Sequence, residues 1–136
     1  MINPLRIVLD TNIFLSALIF GGKPRQLIEM LARGQIEVVI SEPILTEMRR
    51  KVSQKFPGFA GELEQMELLL EQDAELVKLG AITITVCRDP DDNRILETAV
   101  LGKCSHIITG DKDLLVLRQY EKILVLKPAD FMAIKI

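Results

Sequence analysis

Five short runs rich in isoleucine, valine and leucine punctuate the chain: LRIVLD (5–10), EVVIS (37–41), ITITV (82–86), SHIITG (105–110) and KILVLK (122–127). A strand that is apolar on both faces must be covered on both faces, which is the situation of strands in a parallel sheet. Between these runs lie stretches with helical periodicity at 12–19, 24–33, 42–55, 62–79, 92–102 and 111–118, and a last turn at 129–134. Strand, helix, strand in repetition, joined by right-handed crossovers, predicts a three-layer α/β/α sandwich around a central parallel sheet of about five strands.

Local signals set several boundaries. Ser41 stands before a helix with Pro43 in its first turn, where the missing N–H does no harm, so Ser41 reads as the N-cap. FPGFAG (56–61) breaks the chain between two helices, and Gly80, after Lys78 and Leu79, reads as the residue that ends the second. Residues 42–79 then form a helical hairpin inserted after the second strand. The Gly21–Gly22 pair follows a helix and lacks the Lys-Ser or Lys-Thr ending of a phosphate-cradling loop, so it reads as a turn.

The 136 residues fit one domain, 1–136, and 49% hydrophobic content is enough for a packed core. Aromatic residues make up 4%, with one Tyr and no Trp, which argues against aromatic base-stacking platforms. A net charge of −2 argues against a broad basic surface and leaves room only for a local basic patch. Cys87 and Cys104 are too far apart for a CxxC pair and too few for a disulfide framework, so buried thiols in a reducing cytoplasm are expected. IFLSALIF (13–20) is too short to cross a bilayer and follows an acid rather than a basic leader, so a soluble protein with no membrane attachment is expected.

Against this apolar background, four acids stand out. Asp10 ends the first strand, at the carboxyl edge where open α/β sheets keep their ligands. Glu47 lies on the flank of a helix whose buried stripe is Ile44, Leu45, Met48 and Val52. In RDPDDNRILETAVL (88–101), Ile95, Leu96, Ala99 and Val100 define a buried stripe, and projecting it backwards puts Asp92 near its centre and Asp91 well off it. Asp111 in IITGDKDLL (107–115) repeats the arrangement of Asp10. Each has an ordinary alternative: Asp10 and Asp111 as helix caps, Glu47 as the i, i+4 partner of Lys51. Asp89 and Asp91 read as turn and capping residues, and Asp113 as a first-turn acid facing the helix dipole. A core-directed Asp92 needs a cation or donors to offset its desolvation. Four converging carboxylates would repel one another unless protons or a divalent ion intervened, and an all-oxygen set suits Mg²⁺ or Mn²⁺ rather than Zn²⁺.

The order and spacing of VLDTNIFLSAL, SEPILTEMRR, RDPDDNRILETAV, HIITGDKDLL and ILVLKPADFM resemble the PIN-domain family of metal-dependent ribonucleases, and within it the VapC-type toxins of toxin–antitoxin pairs. The resemblance spans nearly the whole chain. It implies that Asp10, Glu47, Asp92 and Asp111 are catalytic, metal-binding acids, with Asp10 and Asp92 making the firmest contacts. It also implies supporting roles for Thr11, Asn12 and Thr109, and a helix-capping role for Ser41. The implied reaction is endonucleolytic hydrolysis of an RNA phosphodiester that leaves a 5′-phosphate. The implied partners are the RNA substrate, a cognate antitoxin and a second copy of the chain.

Lys23, Arg25, Arg49, Arg50, Lys51 and Lys112 are the candidate RNA contacts; all of them also fit solvated helix faces. Arg94, two residues past Asp92, is placed to pair with a neighbouring acid. His106 lies inside a strand, where a structural role is expected, and no Ser–His–Asp or Cys–His arrangement can be built around it. Two rival readings are a non-catalytic PIN-like module whose acidic pocket receives a basic partner segment, and a phosphoacceptor domain. The latter wants an acidic pair after the first strand, where LDTN offers one acid.

Overall fold

The computed structural model describes residues 4–135. Strand β1 (Leu5–Leu9) lies in the interior of the sheet, and its last three residues are fully buried. It pairs in parallel with β2 (Ile36–Ser41) on one side and β4 (His106–Ile108) on the other. Beyond β2 lies β3 (Glu75–Val77), and beyond β4 lies β6 (Ile123–Leu126), both parallel to their neighbours. The two-residue β5 (Gln119–Tyr120) closes the far edge antiparallel to β6. The sheet has six strands in the order β3-β2-β1-β4-β6-β5, flanked by helices.

The helices are α1 (Thr11–Ile19), α2 (Gly22–Ala32), α3 (Glu42–Lys55), α4 (Ala60–Asp73), α5 (Pro90–Leu101), α6 (Lys112–Leu115) and α7 (Pro128–Lys135). A 3₁₀ turn at Pro57–Phe59 separates α3 from α4, so the hairpin after β2 forms at the expected break. The Gly21–Gly22 turn is held from outside: the Arg25 guanidinium donates to the Ala17 carbonyl at 3.3 and 3.2 Å. Among the described residues no helix is long and apolar enough to cross a membrane.

Two expectations fail in the same region. Residues 82–86 form no strand, and the stretch read as one helix over 62–79 ends at Asp73 and supplies β3 instead. Ala74 is extended, with φ −94° and ψ 158°. The cause is tertiary. Arg6 on β1 reaches across the sheet to Glu37 at 3.1 Å and Glu75 at 3.0 Å, and also donates to the Gly102 carbonyl, which pins β3 to the edge. Residues 82–86 find partners on a helix rather than on a strand. The Ile84 amide donates to the Glu97 carboxylate at 2.9 Å, and Arg94 donates to the Ile84 carbonyl at 3.3 Å. Side chains of α5 thus satisfy backbone groups that a neighbouring strand would otherwise take. Gly80, with φ +121°, lies beyond β3 and ends no helix.

The strand order changes direction at β1 and β4: from β1 the chain builds outward through β2 and β3, whereas β4 and β6 lie on the opposite side. In open α/β sheets this switch point leaves a crevice at the strands' carboxyl ends. Leu9 and Ile108 are register partners, and the Asp10 amide continues the ladder to the Ile108 carbonyl at 3.1 Å, so the two strands end level.

Helix α5 seats closely on the sheet at Gly102, where an added Cβ would lie 2.5 Å from Val39 Cγ1 and 3.0 Å from the Thr98 carbonyl. Gly102→Ala is expected to destabilise the protein by about 1–3 kcal/mol through overpacking. Adding Val39→Ala should make the double variant less destabilised than the sum of the two single changes in urea melts; strict additivity would contradict this contact.

Candidate active site

Each of the four acids singled out by sequence lines one hollow of about 150 Å³, together with Thr11, Asn12, Lys51, Asp89, Asp91 and Ile95. The switch point supplies one wall. Asp10 is buried and performs two tasks at once: Oδ1 accepts the Ile13 amide at 3.1 Å and caps α1, while Oδ2 accepts the Thr109 hydroxyl. Thr109 Oγ1 in turn accepts the Asp111 amide at 3.0 Å, so one buried hydroxyl links the ends of β1 and β4. Burial raises the Asp10 pKa, the hydrogen bonds from Thr109 and Ile13 oppose that rise, and the charge of Asp111 adds to it. Capping and pocket-lining are therefore both true of Asp10.

Helix α5 supplies the opposite wall. Its N-cap is Asp89, which accepts the Asp91 amide at 2.9 Å, as expected for a capping residue. Asp91 is exposed, whereas Asp92 is only 6% exposed, as the buried stripe required. Asp92 Oδ2 is buried with no hydrogen-bond partner among the described residues. Burial first, then the charges of Asp111 and Asp89, push the Asp92 pKa up to about 7. Thr11 Oγ1 is likewise buried without a partner among the described residues.

Among the described residues, the carboxylate oxygens of Asp92, Asp111 and Asp113 lie within 4.8 Å of one another. Asp113, like Asp89 and Asp91, is an acid that sequence reasoning set aside, in its case as a first-turn residue facing the helix dipole. Asp111 caps α6 and accepts the Asp113 amide at 2.9 Å, and this tight turn brings the i, i+2 carboxylates together. The DKD triplet carried the signal, but a longer helix over 111–118 was expected there. Asp113 also pairs with Arg88 at 3.2 Å. An oxygen cluster of this kind, with one buried orphan oxygen, fits a hard divalent cation.

Glu47 lies apart from that trio and is already engaged: its Oε1 is 3.0 Å from Lys51 Nζ, which also donates to Asn12 Oδ1 at 3.1 Å. Ser41 is buried and stands at the N-cap position of α3 as expected, but its side chain makes no capping hydrogen bond. Its hydroxyl pairs with that of Thr98 at 2.8 Å, because β2 delivers it into the contact with α5. Of the basic residues read as RNA contacts, Lys51 alone lines the hollow. Arg25 is committed to the Ala17 carbonyl and Arg49 to Glu67 and Glu42. Lys23, Arg50 and Lys112 are exposed, and Arg50 flanks Glu47 and Asp91 in an adjoining groove.

Arg94 pairs with Glu97 at 2.8 Å, a buried acid that sequence reasoning missed because it lies well off the apolar stripe of α5 and is covered instead by the backbone at Ile84. His106 is buried, bonded to the Ser105 hydroxyl at 2.7 Å and set edge-on to Phe131. Burial pushes the Cys104 thiol up to about 12, and burial with the nearby Asp92 and Asp113 charges raises the half-buried Cys87. Both thiols are therefore held in the protonated, unreactive form at neutral pH.

The raised Asp92 value carries a signed prediction. Between its ordinary value of 3.8 and about 7, the folded chain holds a proton that the unfolded chain has released. Without divalent cation, this contribution is fully present below pH 4, falls as pH rises, and is lost above pH 7. Asp92→Asn should flatten the slope and raise the metal-free Tm at pH 7.5 by roughly 5 °C. Thermal melts in chelator across that range measure it, and parallel curves for the two proteins would contradict it.

Comparison with known proteins agrees with this architecture. The chain is 36% identical over 124 residues to an uncharacterized protein of Methanocaldococcus jannaschii, a match covering 88% of this chain and 79% of that one. It is similar in fold to a chain in the crystal structure of VapBC2 from Rickettsia felis bound to a DNA fragment from their promoter. There the TM-score is 0.57 and the identity 17%, over 89% of this chain and 97% of the other. It is also similar to the PIN domain of T. brucei RRP44, with a TM-score of 0.52 and 11% identity, over 96% and 80% of the two chains. Residues 6–113 match the family model of the PIN domain, and the chain therefore belongs to the PIN-domain family.

Proposed function

We propose that this protein is a Mg²⁺- or Mn²⁺-dependent endoribonuclease, and that it serves as the toxin of a toxin–antitoxin pair. PIN domains are typically nucleases. The observation that carries the reading for this chain is the buried, unpartnered Asp92 Oδ2 beside Asp111 and Asp113. A buried polar atom without a partner is rare, because it forfeits its hydration, and an expected ligand is a common reason for it.

Asp92, Asp111 and Asp113 would hold the cation, with Asp10 alongside. A divalent ion there supplies two things: a water of lowered pKa at neutral pH, and positive charge against the scissile phosphate. Thr109 and the Ile13 amide fix the Asp10 carboxylate in one orientation, so that it faces the hollow without reorganising. Hydrolysis in line with the departing 3′ oxygen leaves a 5′-phosphate. Arg50 and Lys112, exposed beside the acids, would guide the strand electrostatically.

The VapBC2 likeness supports an antitoxin partner, and the acidic hollow suits a basic segment from it. A homodimer is supported by Leu68 on α4 and Leu76 on β3, each 60% exposed. Light scattering at micromolar concentration should give twice the monomer mass, and a monomer mass would exclude the dimer.

Purified protein should cleave single-stranded RNA only with Mg²⁺ or Mn²⁺ and stop on chelation. Asp92→Asn and Asp111→Asn should each lower the rate by about 10²–10³-fold with circular dichroism unchanged. Cleavage that persists in chelator, or an Asp92→Asn enzyme of full activity, would overturn the reading.

A further inference from the structure

The hollow has two unlike ends. At one lie the Asp92 and Asp111 carboxylates and the unpartnered Asp92 oxygen, with Asp113, which does not itself line the hollow, clustered against them. At the other, a positive charge is already present. Lys51 Nζ is held at 3.0 Å by Glu47 from its own helix and at 3.1 Å by Asn12 from α1. The pair is half-buried, the Lys51 and Glu47 side chains being 22% and 18% exposed, while Asn12 is exposed. Exposed i, i+4 pairs swing freely and contribute little. Here a third group, the exposed Asn12 amide on a second helix, adds a further hold on the ammonium. Among the described residues Lys51 is also the one basic residue lining the hollow, beside six acids: Asp10, Glu47, Asp89, Asp91, Asp92 and Asp111.

A phosphodiester hydrolase with two ions sets them about 3.5–4 Å apart, on either side of the phosphate. In this chain the acid that would help carry a second ion, Glu47, is neutralised by an ammonium. A divalent ion placed on Glu47 would have to displace Lys51 or sit against it. An ammonium is a compact point charge with three donors. Asn12 accepts from one and Glu47 pairs with the charge, so N–H capacity remains for a phosphate oxygen.

Building on the nuclease reading above, we propose that Lys51, positioned by Glu47 and Asn12, is the built-in second cation of this site. The chain takes one divalent ion at the Asp92, Asp111 and Asp113 end, and Lys51 meets the scissile phosphate from the other. Lys51 is thus a positioning and charge-supplying residue in a one-metal site. The asymmetry also sets the pose of the strand, with its phosphate bridging from the carboxylate trio to α3.

The test counts Mn²⁺ bound per chain, by titration calorimetry and by the electron paramagnetic resonance signal of free Mn²⁺, in wild type, Lys51→Gln and Lys51→Arg. Wild type and Lys51→Arg should bind one ion. Lys51→Gln frees Glu47 and should bind two. In cleavage assays, wild type should depend on Mn²⁺ hyperbolically. Lys51→Gln should be at least about 10-fold slower at low Mn²⁺ and recover at millimolar Mn²⁺ with a steeper, second-order dependence, as a metal ion takes the place of the ammonium. Two ions in wild type, or one ion and unaltered kinetics in Lys51→Gln, would overturn the proposal and leave the nuclease reading standing. No bound ion in wild type would instead remove the metal reading on which both rest.

Discussion

The buried Thr109 hydroxyl, donating to Asp10 and accepting from the Asp111 amide, is the contact on which the site depends. Two parallel strands in register, with Leu9 opposite Ile108, end level at the point where the sheet changes direction. Each is followed by an acid that caps the next helix. Level strand ends would suffice to bring these acids near one another. The threonine goes further by fixing one carboxylate and the backbone bearing the other in a single geometry, with no water needed between them.

Assembling like charges in one partly buried hollow is unfavourable, and the chain offsets the cost unevenly. Asp10 receives two hydrogen bonds. Glu47 receives an ammonium. Asp92 receives neither on its Oδ2, and its pKa of about 7 registers the imbalance. A fold selected for stability alone would place an asparagine or an aliphatic residue at the head of the α5 stripe. The retained carboxylate has a physical rationale once a cation is expected, because the same desolvation that destabilises the free acid strengthens its attraction for a hard ion.

Much of this was legible in the sequence because it rests on local periodicity. Strands at Ile7, Val38, Ile107 and Val125 announced themselves as apolar runs, and the backward projection along α5 separated buried Asp92 from exposed Asp91. What was not legible depends on contacts distant in sequence. Glu75 enters a strand because Arg6 holds it there, 69 residues away. Ile84 leaves the sheet because Glu97 and Arg94 capture its backbone. Ser41 has every local mark of a helix cap, yet packing directs its hydroxyl to Thr98. Asp113 joined the carboxylate trio because α6 is one turn long, a length that helical pattern alone does not fix.

The most direct test of the central claim is a crystal of the wild-type protein soaked in Mn²⁺ and measured at a wavelength where manganese scatters anomalously. The account predicts an anomalous peak in the hollow, about 2.0–2.3 Å from Asp92 Oδ2 and within ligand distance of Asp111 or Asp113. A map with no peak there, or with manganese only on exposed surface acids, would contradict it.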